Sequence, residues 1–177
     1  MTVTVDRPTT IGSALSDTAA SNPAPSAADP RTLVSAEVFD KITRYFAARQ
    51  EVTHLYAERA VGQFLVFLKA YADAQHKPDF GLLLPSGESY RVVPTRPVDA
   101  VWHAALQISE PYAAVCEEIA GHFVHHRPIL TEAMRDGTAI VYTLAALQAT
   151  GFQLDMEFWG GEAESCCPPN PPQPGMI

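Results

Sequence analysis

The chain has 177 residues, 12 of them basic and 20 acidic, for a net charge of −8, and 47% of them are hydrophobic. That charge excludes non-specific attraction to nucleic acid or to an anionic membrane surface, since both rest on basic patches. The length suits one domain whose core is large enough to fold without a metal or disulfide staple.

Residues 1–30 are rich in Ser, Thr, Ala and Pro, with almost no large apolar side chain after Leu15. Such a stretch cannot bury enough surface to offset its ordering entropy, so a disordered N-terminal segment is expected. It holds no continuous apolar core of the kind a secretory leader needs. No 18-residue apolar run occurs further on, Gln63 to Ala72 being interrupted by Lys69, so no membrane span is expected. Three cysteines without a leader point to reduced thiols in the cytoplasm.

From 31 to 160 the pattern is helical, and the expected fold class is mainly α, a single bundle-like domain of about five helices. Ser35 is placed to cap a helix whose apolar positions are Val38, Phe39, Ile42 and Phe46. A longer helix is expected from Glu51 to Gln75, with Leu55, Phe64, Leu65, Phe67 and Leu68 as its buried stripe. The Ser86-Gly87 turn between two short apolar runs allows a small hairpin at 80–94. Pro97 opens a helix over Val98–Gln107, and Pro111 opens another running to His122 or slightly beyond. Pro128 stops that unit, and a last helix is expected over Thr131–Thr150 with Gly151 just past its end. Residues 161–177 form a Cys/Pro-rich tail, with five prolines between Cys166 and Ile177, expected to be extended and mobile.

The chemistry concentrates between Asp99 and Pro128. Asp99, Trp102, His103 and Leu106 fall on one helical face; Tyr112, Cys116, Ile119 and Phe123 fall on one face of the next helix. A short turn centred between Ser109 and Glu110 makes the two an antiparallel hairpin and sets His103 level with Cys116, both facing inward. One reading is two satisfied core residues. The other is a Cys–His contact that gives a reactive thiolate or a pair of metal ligands. His122 and His126 share a face on a continuous helix, but His126 would then stand ~15 Å along the axis from Cys116. A helix break at Gly121 would let His125 and His126 fold back; without one, the histidines form a separate cluster or a solvated helix end. Adjacent Cys166 and Cys167 are too close for an unstrained disulfide; they could complete a metal site, be redox-labile, or belong to an inert tail. Nucleotide-binding loops, H-E-x-x-H and G-x-S-x-G are absent from the sequence, so no nucleotide cofactor is expected.

Val98-Asp99-x-x-Trp102-His103, Tyr112-x-x-x-Cys116 and Gly121-x-Phe123-x-His125-His126-x-Pro128 together resemble the signature of the glycine-rich domain-containing protein-like family. The resemblance extends to Gly151-Phe152 and Asp155-x-Glu157-x-Trp159 and spans about Val34 to Cys167. It implies a small helical domain without an assigned reaction, with any shared site at Asp99, Trp102, His103, Cys116, His125 and His126.

The leading expectation is a domain holding zinc or another divalent transition metal through His103, Cys116 and His126 or His125, with a tail thiol or water as the fourth ligand. Asp99 would orient an imidazole or serve as an acid in the first turn of its helix, with Trp102 and Tyr112 beside the site. Two alternatives belong to other classes. One is a non-catalytic module whose Pro-rich tail binds another protein. The other is a carrier whose Cys166-Cys167 tail is modified by a partner enzyme.

Overall fold

The computed structural model describes residues 26–76, 91–126, 134 and 137–160. The expected disorder at 1–25, most of the expected hairpin, Pro128, and the tail with Cys166 and Cys167 lie outside the described residues.

Among the described residues five helices build the domain, as the periodicity predicts, and no strand occurs. A short 3-10 turn at Pro30–Leu33 leads into α1 (Ala36–Gln50), whose first turn is capped by the Ser35 hydroxyl accepting the Val38 N–H. Glu51 ends α1 in the left-handed region at φ 55°. The expected start of the next helix at Glu51 is therefore displaced, and α2 runs His54–His76. The Thr53 hydroxyl accepts the Tyr56 N–H and closes its first turn.

Among the described elements, α2 is the axis of the domain and packs against each of the other four helices and the 3-10 turn. From Ala60 to Leu68 it carries no charge, and Phe64, Leu65, Val66, Phe67 and Leu68 are all fully buried. Each such side chain contributes about 1.5–3 kcal/mol relative to exposure. Leu55 does not join that stripe and is 67% exposed, since it stands in the first turn, ahead of the buried segment. Among the described residues no helix is long and apolar enough to cross a membrane.

α3 (Arg96–Gln107) and α4 (Ser109–Ala120) form the expected hairpin. α4 stops earlier than expected, because Gly121 takes φ 70° and its N–H closes onto the Glu117 carbonyl. α5 (Thr138–Ala149) also starts later than expected, with Gly137 at its N-cap in the left-handed region at φ 82°. Past Gly151, Trp159 is buried with its indole N–H on Gln63 Oε1, and Gln63 donates to the Gln153 carbonyl. Arg59 on α2 pairs with both Asp155 and Glu157. The packed domain also begins ahead of residue 31, since Ala28 exchanges backbone hydrogen bonds with Gly151 and Gln153, and Pro30 is buried.

Candidate metal centre

The helix hairpin displays two kinds of side chain. Val98, Val101, Trp102 and Ala105 form the i, i+3, i+4, i+7 stripe that α3 buries. An entirely apolar stripe outcompetes one that includes an imidazole, so the buried face is rotated away from His103. His103 is left 46% exposed at the edge, one turn beyond Asp99, whose side chain is 9% exposed. The expectation that His103 points into the hairpin beside Cys116 is corrected accordingly: Cys116 is buried, and its polar contacts are with Val124 and Tyr112.

The path of the chain beyond α4 decides the site. With Gly121 left-handed, residues 121–126 leave the helix axis and run back over the hairpin as irregular chain. Val124 is buried in this return, so its backbone N–H and C=O must find partners inside the protein. Both come from α4. The N–H reaches Cys116 Sγ at 3.4 Å, and the C=O accepts the Tyr112 hydroxyl at 2.5 Å. That hydroxyl in turn accepts the Trp102 indole N–H at 2.8 Å. Burial, first, and the neighbouring Cys116 push the Tyr112 phenol well above its ordinary range, the Trp102 N–H opposing them. Tyr112 therefore keeps its proton and remains a donor to Val124.

Two residues further on, His126 is delivered to α3. Its Nε2 lies 2.9 Å from Asp99 Oδ1, while His103 Nε2 lies 3.5 Å from Asp99 Oδ2. The His126 ring meets Trp102 edge-on at 4.3 Å and His103 at 4.7 Å between centroids. One ligand-capable atom from each of Asp99, His103 and His126 lies within 4.8 Å of the other two. Asp99 and His103 come from one helix at i, i+4, and His126 from a chain segment 27 positions after Asp99.

The residues singled out by sequence thus divide into two sets. Asp99, His103 and His126 converge. Trp102, Tyr112 and Cys116 hold the returning backbone in place. His125 is exposed, 5.0 Å from the Phe123 ring, and stands outside the group, as does exposed His122. Asp99, expected only in a supporting role, has its carboxylate inside the group. The signal for it was present as the Asp-x-x-x-His spacing, which places a carboxylate and an imidazole one helical turn apart.

Comparison with known protein families, with curated proteins and with solved structures finds no match for this chain.

Proposed function

We propose that this protein binds a divalent transition metal, zinc by the character of its donors, through His103, His126 and Asp99. The observation that carries this reading is the convergence of three ligand-type atoms within 4.8 Å. Ligand atoms on one tetrahedral zinc, each about 2.0–2.1 Å from it, stand about 3.3 Å from one another. The imidazole–carboxylate separations, 2.9 Å from His126 to Oδ1 and 3.5 Å from His103 to Oδ2, each to a different carboxylate oxygen, lie near that value. Two imidazoles and one carboxylate also suit other divalent first-row metals, with iron(II) the nearest competitor.

Three protein ligands are the number found at centres that leave a coordination position for water or a substrate atom. Half-exposed His103 sets the group at the surface, where such a ligand can reach it. A metal held there would polarise a carbonyl or acidify a bound water. The free, buried Cys116 accords with a reducing compartment and supports a cytoplasmic location. Membership of the glycine-rich domain-containing protein-like family is proposed on the motif residues alone.

A second reading is favoured by the 2.9 Å His126–Asp99 hydrogen bond, which is already closed without a metal. The cluster would then be a latch tying residues 121–126 to α3. Elemental analysis of protein purified without a polyhistidine tag separates the two. The metal reading expects about one equivalent of zinc or iron, lost in His126→Ala and Asp99→Ala. Metal below a tenth of an equivalent after incubation with excess zinc and desalting leaves the latch.

A further inference from the structure

Val124 is the point at which the metal site depends on residues that do not touch it. Beyond Gly121 the chain to His126 is irregular, so no helical ladder holds it. Its one buried residue, Val124, is gripped at both its N–H and its C=O by α4 side chains one turn apart, Cys116 and Tyr112. The two grips are unequal. A thiol sulfur is a weak acceptor, whereas the phenol is a strong donor in a buried setting. Trp102 completes the arrangement, since its N–H orients the phenol and its ring meets the His126 ring in an edge-type contact.

We infer that Tyr112 is a positioning residue for this site: through Trp102 on one side and Val124 on the other, its hydroxyl sets where the His126 imidazole stands relative to Asp99 and His103. The inference rests on the proposed metal reading for its functional consequence, although the placement of His126 can be observed without a metal. Removing the hydroxyl leaves the Trp102 N–H and the Val124 carbonyl buried without their partner, so both groups gain by moving toward water. His126, two residues along, moves with Val124. Partners that orient a ligand in this way commonly alter metal affinity by roughly tenfold to hundredfold when removed.

The test compares the full chain with Tyr112→Phe, and with Leu147→Val, a core substitution on α5, which carries no residue of the site. Each is titrated with cobalt(II), and the histidine side-chain nitrogen resonances are recorded on the metal-free proteins. The expected result is a cobalt(II) Kd weakened roughly tenfold or more in Tyr112→Phe and unchanged in Leu147→Val. A shifted or broadened His126 resonance should accompany it in Tyr112→Phe alone. Cobalt binding equal to wild type in Tyr112→Phe, with an unmoved His126 resonance, overturns the positioning role and leaves the metal reading intact. Should wild type itself bind no cobalt, the metal reading fails, and the His126 resonance in Tyr112→Phe still decides whether Tyr112 places the imidazole.

Discussion

His126 Nε2 lies 2.9 Å from Asp99 Oδ1, across 27 positions of sequence, with both side chains 9% exposed. An ionised carboxylate only accepts, so the imidazole supplies the proton of this bond. A metal taken at Nε2 must displace that proton, to Nδ1 when the ring is neutral and to solvent when the ring is doubly protonated. Metal binding is therefore expected to weaken and to release protons in acid, where imidazoles carry a second proton. Calorimetric titration with zinc under acid conditions, in buffers of different ionisation enthalpy, measures the release directly. An apparent binding enthalpy independent of the buffer would contradict it.

Cys116 tests the division of the motif into two sets. As a backbone acceptor 3.4 Å from the Val124 N–H, it is replaceable by a hydroxyl. Cys116→Ser is expected to bind stoichiometric cobalt with a Kd within about tenfold of wild type, the shift of an indirect partner. Neither protein should show the intense near-ultraviolet band of a thiolate–cobalt bond. Such a band in wild type, absent from the variant, would make Cys116 an inner ligand.

Gly121 carries the reversal of the chain. Its φ is 70°, and a Cβ built there meets nothing within 4 Å, so the cost of a side chain is backbone strain alone. Gly121→Ala is expected to destabilise the fold by about 1 kcal/mol, since a left-handed non-glycine residue costs roughly 1–2 kcal/mol. Gly121→Asn should recover part of that loss, because Asn tolerates the left-handed region better. Urea denaturation of the three proteins gives the order.

On α2, the Arg59 guanidinium holds the Asp155 carboxyl below its usual range. A depressed folded-state pKa stabilises the protein above the unfolded value, about 3.9 for Asp, and that contribution is lost as pH falls through the lower folded-state value. Asp155→Asn should therefore be less stable than wild type at neutral pH, and the two should converge below about pH 4. Denaturation midpoints from neutral pH down to the acid limit of the fold check the sign; a difference that persists unchanged at the acid end would assign the effect to packing.

Much of the fold is legible in local pattern. Ser35 caps α1 where the apolar spacing begins, and the charge-free run from Ala60 to Leu68 becomes the buried axis of the domain. Gly151, expected just past the last helix, sits at φ 76° there. The errors are also local in origin. Leu55 fits the apolar stripe by spacing, yet it lies in the first turn and is 67% exposed. His103 fits a face shared with Trp102, but the apolar stripe that α3 buries is Val98, Val101, Trp102 and Ala105, and it leaves His103 exposed at its edge.

By itself the sequence determined that the ligand-type residues gather between Asp99 and Pro128, and that Asp99 and His103 share one edge of a helix, because i, i+4 spacing is a property of the helix alone. It also made the membership of His126 depend on a break at Gly121. Only the tertiary structure decided that the break occurs and where the returning chain goes. Satisfying the two buried backbone groups of Val124 requires Tyr112 and Cys116, and meeting that requirement carries His126, but not His125, onto Asp99. Helical periodicity is set by neighbours in sequence; the path of an irregular segment is set by what lies against it in space.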